Sequence, residues 1–155
     1  LGLHAMTVEY ARNVLGWQDA HSEEFKTETE HPVIAFMEKQ KEILNLGGTM
    51  RLGAYEAELE KNSKIYKIYK KELISERHRH RLEFNNEYID DFESHGLMVG
   101  AYSSEGGLVE TIEIKDHPWA IGVQYHPEYK SKPYQVHPLF GGFIKKCWEL
   151  KKEKK

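Results

Sequence analysis

The sequence predicts an α/β fold, a three-layer α/β/α sandwich around a mostly parallel central sheet. An apolar run over residues 119–125 stops at Pro127 and is typical of a buried strand, because proline cannot donate a ladder hydrogen bond. Apolar residues recur at helical spacing over residues 3–15 and 139–150, which predicts a helix near each end of the chain. The pattern of residues 97–114 predicts a small antiparallel excursion.

Composition limits the class of protein. With 155 residues, 39% of them apolar, the chain is expected to be one domain or part of one, over residues 1–150, followed by a basic tail at 151–155. A net charge of −3 predicts no nucleic-acid partner and no membrane partner. The single cysteine favours a reducing, cytoplasmic location, no apolar run is long enough for a bilayer, and the first residues do not resemble a signal peptide.

The remaining elements follow from periodicity and from glycine positions. The first helix should end at Gly16, since glycine readily adopts the left-handed conformation of a C-terminal cap. The last helix carries an apolar face that includes Cys147, which we expect to be packed in the core rather than reactive. We further predict strands over residues 31–37, 54–59, 76–85, 97–102 and 108–114, helices over 63–74 and 88–96, and a glycine-rich loop over 46–53.

His126 and Glu128 follow directly after the central strand. Ligands of α/β proteins bind at the carboxyl ends of such strands. A histidine that is oriented by a glutamate forms the base half of a nucleophilic triad, although such a pair at a strand end also occurs with no catalytic role. The pair therefore predicts a catalytic site whose nucleophile is missing from the sequence.

Arginine and histidine alternate from Arg77 to Arg81. A strand would place the arginines on one face and the histidines on the other. A metal site at His78 and His80 lacks a third ligand, and a nucleic-acid surface lacks interleaved aromatic residues. We favour one or two arginines that bind a substrate carboxylate through the guanidinium group.

The glycine-rich loop is open to two interpretations. It is an ordinary turn, or it is a mobile loop that meets a phosphate or nucleotide through Thr49 and Arg51.

Four motifs together resemble one known family. They are Gly47-Gly-Thr-Met-Arg-Leu-Gly53, Glu76-Arg-His-Arg-His-Arg81, Gly122-Val-Gln-Tyr-His-Pro-Glu128 and His137-Pro-Leu-Phe140. This combination resembles the C-terminal glutamine amidotransferase domain of CTP synthases, over residues 1 to about 148. The resemblance implies a class I (triad) amidotransferase fold of flavodoxin-like type.

In that family the nucleophile elbow reads Gly-Ile-Cys-Leu-Gly, so the cysteine is expected immediately before Leu1. The chain is then either a piece of a longer polypeptide or preceded by a covalently modified cysteine, and we favour the second explanation because an elbow is a poor place to divide a domain.

The resemblance also implies an activity and its residues. The domain would hydrolyse L-glutamine to glutamate and ammonia, with His126 and Glu128 catalytic, as the glutaminase half of a glutamine-hydrolysing ligase of pyrimidine biosynthesis. Glutamine would be bound by Leu1, by Glu24 at its ammonium, by Arg81 at its carboxylate and by His4, where the family commonly has glutamine.

The other implied partners act outside the catalytic pair. Thr49 and Arg51 would belong to a lid through which GTP activates, and Arg51→Ala should remove GTP stimulation while it spares basal glutaminase activity. The domain would hold no cofactor and no metal. ATP and Mg²⁺ would serve the synthase domain of the same polypeptide, where UTP becomes CTP.

Three alternatives stay open. The chain is the amidotransferase domain of another synthase, a non-catalytic amidotransferase-like regulatory or binding domain, or a metal-binding domain that uses several of its nine histidines.

Overall fold

The computed structural model describes residues 1–36 and 50–153. Its helices are α1 (Gly2–Tyr10), α2 (Lys64–Tyr69), α3 (Ile89–Ser94) and α4 (Pro138–Glu153). Its strands are β1 (His21–Ser22), β2 (Pro32–Ala35), β3 (Arg51–Leu59), β4 (Leu73–His80), β5 (Glu83–Phe84), β6 (Leu97–Ser103), β7 (Val109–Ile114) and β8 (Ile121–Val123). Helix α1 continues as a π-helical turn (Ala11–Leu15) that ends at Gly16, whose φ of 82° confirms the predicted cap.

The strands form two sheets. The larger sheet has the order β4-β3-β6-β7-β8 and is antiparallel throughout, whereas the smaller sheet has the order β1-β2-β5 with β1 and β2 parallel. The expectation of a mostly parallel sheet is therefore wrong for the strands that the structure describes. The connection from β6 to β7 spans only the turn after Ser103, and such short connections join antiparallel strands, while parallel strands need a long crossover.

Helices cover both faces of the larger sheet, which confirms the three-layer arrangement. One core cluster contains Leu3 of α1 and Phe92 of α3, and the other contains Ile65 of α2 and Leu139 of α4. Strand β6 contributes to both clusters, because a bulge follows Val99 and turns the strand there. A Cβ atom at the buried Gly100 would lie 2.7 Å from the Thr111 hydroxyl, so the bulge packs too closely for a larger residue.

The two edges of the larger sheet approach each other beside the central strand. Strands β4 and β8 lie at opposite edges in the pairing order, yet the His126 N–H donates to the Arg77 carbonyl over 2.8 Å. The sheet is therefore strongly coiled, as right-handed strand twist allows. Its coiled inner side carries His78 and His80, whereas Arg77 and Arg79 point to solvent, which confirms the predicted alternation.

Several predicted boundaries change. The central strand is shorter than residues 119–125, and residues 51–53 belong to β3 rather than to a loop, because Arg51 pairs with His80 across the ladder. The last helix continues into the predicted tail, through Glu153. Thr49 and most of the glycine-rich loop lie outside the described residues.

Cys147 is exposed, so its predicted place in the core is wrong. Helix α4 contacts the described part of the protein through Leu139 and through Gly142, which packs against the Trp119 ring. The predicted apolar face is left exposed, namely Phe140, Phe143, Ile144, Cys147 and Trp148. Among the described residues, no helix combines the length and the hydropathy that crossing a bilayer requires.

Candidate active site

The predicted catalytic pair forms a short hydrogen bond. The His126 Nδ1 atom lies 2.6 Å from the Glu128 Oε1 atom. Burial, the largest single effect, raises the pKa of Glu128, but the hydrogen bond from His126, a backbone hydrogen bond and nearby positive charge together outweigh it, and the pKa lies below its ordinary value. The carboxylate is therefore ionised at neutral pH and holds the proton on Nδ1. This tautomer leaves Nε2 unprotonated, as a general base requires.

A short 3₁₀ turn (Pro127–Tyr129) places the two side chains together. Pro127 suits the first position of such a turn, because it has no N–H to leave unsatisfied. The backbone N–H of Tyr129 donates to the His126 carbonyl over 3.1 Å. The Tyr129 ring stacks on the imidazole, with ring centroids 4.9 Å apart and an angle of 21°. Tyr129 was not among the predicted site residues, and its only signal in the sequence is an aromatic residue three positions after His126.

A pocket of about 360 Å³ opens beside the pair. It is lined by the start of α1 and by β8 with the residues that follow it, so the predicted residues Leu1, His126 and Glu128 share one cavity. Leu1 is the N-cap of α1, where backbone N–H groups are free and the helix dipole favours negative charge. This combination of a base, an orienting carboxylate and N–H donors at a helix start is suited to acyl transfer.

Gln124 joins the strand that carries the catalytic pair to a buried polar network. Its Oε1 atom lies 3.0 Å from His4 Nε2, and its Nε2 atom lies 2.8 Å from both His80 Nδ1 and the Leu82 carbonyl. His4, predicted as a substrate contact, is thus buried and already hydrogen-bonded. Burial lowers the pKa of His4 to about 4, so the imidazole is neutral at pH 7.

The network continues inward as a chain of neutral histidines. When Gln124 donates to His80 Nδ1, the proton of His80 is on Nε2 and is donated to His78 Nδ1, 2.9 Å away. The Nε2 atom of His78 then faces Glu110 Oε2 at 3.5 Å. Burial is the main reason that the pKa of His78 and that of His80 each fall to about 3.

Arg51 supplies the positive charge at the inner end of this network. Its guanidinium lies 2.6 Å from a Glu110 carboxylate oxygen and 3.3 Å from one of Glu83. Burial raises the pKa of Glu83 to about 7 and also raises the pKa of Glu110, although Arg51 opposes both shifts. Arg51 therefore forms internal ion pairs in this structure, and its predicted role in a lid activated by GTP stays a prediction.

A second buried cluster lies behind Tyr125, next to His126. The Tyr69 hydroxyl lies 3.1 Å from a Glu76 oxygen, from the Tyr125 hydroxyl and from His137 Nε2. His137 also contacts Glu76 over 3.1 Å, and it lies immediately before α4. The His-Pro-Leu-Phe motif therefore attaches the last helix to β4, beside the turn that carries His126 and Glu128.

Glu24 and Arg81, the other predicted glutamine contacts, are exposed on one side of the smaller sheet. Ser22 pairs with Ile34, and Ile34 pairs with Phe84, so the ends of β1 and β5 are two strand spacings apart, roughly 10 Å. Glu24 lies two residues after Ser22. Arg81 precedes Leu82, whose carbonyl accepts from Gln124. Neither Glu24 nor Arg81 lines the pocket beside His126, so their contact with glutamine stays a prediction.

Metal binding gains no support at the histidine run, because His78 and His80 hydrogen-bond to each other. Within the described ranges, the group with suitable ligand spacing is Asp19, Glu30 and His31. Asp19 there accepts hydrogen bonds from the backbone N–H groups of Glu30 and His31, so it already serves to fix its own loop.

Comparison with known proteins defines the class. The glutamine amidotransferase class-I family matches residues 1–146, and the chain therefore belongs to this family. Within it, the chain is similar to CTP synthases. It is 55% identical to CTP synthase of Hydrogenobaculum sp. (strain Y04AAS1) over 99% of this chain and 29% of the relative. It is 52% identical to CTP synthase of Aquifex aeolicus (strain VF5), also over 99% of this chain and 29% of the relative.

The chain thus spans under a third of the length of these relatives. Its structure resembles the glutaminase domain of Trypanosoma brucei CTPS with bound acivicin, with a TM-score of 0.89 and 36% identity. That match covers 96% of this chain and 58% of the other. A protein from Thermoplasma acidophilum, described as a putative GMP synthase subunit, is 19% identical with a TM-score of 0.51. That match covers 74% of this chain and 56% of the other, and it shows a shared fold alone.

Proposed function

We propose that this chain forms the larger part of the glutaminase domain of a CTP synthase. The domain hydrolyses L-glutamine to glutamate and ammonia. A synthase domain of the same polypeptide uses the ammonia for the ATP-dependent amination of UTP to CTP. The observation that carries the proposal is the 2.6 Å bond between His126 and Glu128 at a pocket shared with Leu1. The similarity to CTP synthases over nearly the whole chain supports it.

The first half of the reaction forms a thioester. A cysteine immediately before Leu1 attacks the side-chain amide carbon of glutamine, and His126 Nε2 accepts the thiol proton. The C–N bond then breaks, and the imidazolium returns the proton to the departing nitrogen as ammonia leaves. Glu128 stabilises the imidazolium through its short hydrogen bond to Nδ1.

The second half releases glutamate. His126 takes a proton from water as the water oxygen attacks the thioester carbon, and the thiol leaves with a proton from the imidazolium. In both halves the carbonyl oxygen gains negative charge. The backbone N–H of Leu1, at the start of α1, is suited to stabilise that charge. The role of Leu1 depends on its backbone, so substitution of its side chain alone should have little effect.

Two further side chains bind the rest of glutamine in this proposal, and His4 acts indirectly. Glu24 pairs with the substrate ammonium, and Arg81 forms a bidentate contact with its carboxylate. Both side chains are exposed, so a charged ligand can reach them. His4 is neutral and hydrogen-bonded to Gln124, so it contributes through the position of α1 more than through charge.

GTP activation is assigned to the segment that contains Thr49 and ends at Arg51. The internal ion pairs of Arg51 support a role at the base of this segment. ATP and Mg²⁺ act in the synthase domain, and we assign no cofactor to the residues of this chain. A pathway that uses ATP and UTP supports a cytoplasmic location.

The test uses the full-length protein in which this sequence occurs. Glu128→Gln should lower kcat for glutamate release by about 10- to 1,000-fold, because the imidazole loses its orienting charge. CTP formation from added ammonia should persist, since it needs no glutaminase. Glu105→Gln is the matched control, because it makes the same chemical change on the exposed turn between β6 and β7 and should leave kcat unchanged.

Two outcomes would contradict the proposal. Glutamate release with no CTP from UTP and ATP would favour an amidotransferase of another synthase. No glutamate release by the unaltered protein would favour the non-catalytic domain.

A further inference from the structure

Tyr129 covers one face of the catalytic imidazole. Its ring is nearly parallel to that of His126, at 21°, with the centroids 4.9 Å apart. Glu128 holds the same imidazole at its edge, through Nδ1. Two consecutive residues of one turn thus contact the base from two directions.

The backbone of the turn that carries Tyr129 is held on both sides of this residue. The N–H of His126 donates to the Arg77 carbonyl, and the N–H of Lys130 donates to the Pro127 carbonyl. The Lys130 ammonium donates to the Ser75 carbonyl and lies 3.5 Å from the Glu76 carboxylate. Strand β4 therefore anchors the turn both before and after Tyr129.

One hydrogen bond does not fix a ring. The His126 ring rotates about its Cβ–Cγ bond, and the bond to Glu128 opposes that rotation at one edge only, from a side chain that is more than half exposed. A stacked aromatic face restricts that rotation. It also attracts the positive charge that His126 carries after it accepts a proton.

We propose that Tyr129 is a positioning residue for the glutaminase reaction, which fixes the plane of the His126 ring and stabilises its protonated form. This inference rests on the function proposed above. Among the described residues, the Tyr129 side chain makes no other contact that would explain an aromatic residue at this position. It is half exposed, and its hydroxyl makes no hydrogen bond to a described residue. Phenylalanine at position 129 should therefore preserve the glutaminase activity, because it keeps the ring, whereas alanine should lower it.

The experiment compares four forms of the full-length protein, namely the unaltered form, Tyr129→Phe, Tyr129→Ala and Tyr134→Ala. Tyr134 lies five residues further along the same segment and is fully exposed, so it is the matched control. For each form, kcat and KM for glutamate release from glutamine and the rate of CTP formation from added ammonia are measured.

We expect Tyr129→Ala to lower kcat by about 3- to 10-fold, the loss of one aromatic contact, with KM for glutamine changed less than about twofold. Tyr129→Phe and Tyr134→Ala should match the unaltered protein, and ammonia-dependent CTP formation should be unchanged in all forms.

Three results would overturn the inference. An unchanged kcat in Tyr129→Ala would show that the stack does not position the base. Equal losses in Tyr129→Phe and Tyr129→Ala would assign the effect to the hydroxyl. Loss of the ammonia-dependent reaction in Tyr129→Ala would indicate a structural role. In each case the proposed function stands if the unaltered protein releases glutamate, whereas an unaltered protein that releases none overturns both.

Discussion

Arg51→Met should destabilise this domain more than any exposed arginine would. Arg51 is 10% exposed, and its guanidinium is the positive charge that offsets Glu83 and Glu110, which are 2% and 0% exposed. Removal of one partner from a buried ion pair typically costs about 3 to 5 kcal/mol, because the remaining charge is buried without compensation. Methionine retains much of the side-chain volume, so the change isolates the charge.

The same figure follows from protonation. Without Arg51, Glu110 must bind a proton to stay buried, and its ordinary pKa of 4.5 makes this cost about 3 kcal/mol at pH 7. Glu83 adds less, because burial already raises its pKa to about 7. The total is about 3 to 4 kcal/mol. Since the folded-state pKa values are raised, the cost should shrink as the pH falls from 7 towards 5, where protonation becomes easy.

Hydrogen exchange is the suitable assay, because it reports the opening free energy of individual strands and does not need one unfolding free energy for the whole protein. At pH 7, amides of β3 and β7 should exchange about 100- to 1,000-fold faster in Arg51→Met, as 1.4 kcal/mol corresponds to a factor of ten. Arg79→Met, on the exposed face of β4, should leave the exchange unchanged. Arg51→Met combined with Glu110→Gln should recover most of the protection.

Unchanged protection in Arg51→Met, or no recovery in the double variant, would refute the ion-pair reasoning. The result also bears on the lid. From the sequence we expected Arg51→Ala to remove GTP stimulation and to spare basal glutaminase activity. The buried pairs predict that basal activity falls as well, because Glu83 lies 3.2 Å from the amide nitrogen of Gln124.

Two further predictions concern packing and pH. Gly122→Ala should destabilise the domain by about 1 to 3 kcal/mol and lower kcat/KM for glutamate release by up to about a hundredfold. The reason is that the added Cβ lies 3.0 to 3.3 Å from atoms of β7 and α1 and displaces α1 from β8. Gly141→Ala, whose added Cβ has its nearest neighbour at 3.9 Å, is the control for both the hydrogen-exchange and the kinetic measurement. Burial lowers the pKa of His4 to about 4 and those of His78 and His80 to about 3, so their contribution to stability is present above pH 6.5 and is lost as the pH falls towards 4. Protection from hydrogen exchange should fall over that range by up to about tenfold per pH unit for each histidine that takes up a proton. His80→Gln should reduce the slope of the logarithm of protection against pH by about one proton. An unchanged slope would show that His80 does not contribute.

Local sequence patterns predicted most of the elements and the contact between His126 and Glu128. The alternation of arginine and histidine identified β4 and its two faces, because side chains of a strand point alternately to opposite sides. The left-handed glycine at position 16 marked the end of the first helix. His126 and Glu128 are two residues apart on one turn, so their contact needs no distant part of the chain.

The tertiary structure decided everything that depends on distant pairing. Arg51 meets Glu83 and Glu110, which are 32 and 59 positions away, and no local pattern encodes those contacts. Cys147 has the helical spacing of a core residue, but which face of α4 is covered depends on how Leu139 and Gly142 pack. Strand β4 is four strand pairings away from β8 in the larger sheet, and the coil of the sheet nevertheless brings it to His126. This long-range twist places the two polar clusters behind the turn that carries His126 and Glu128. Periodicity determines which face of an element is apolar, whereas the partner that covers the face is set by the free energy of the whole packed domain.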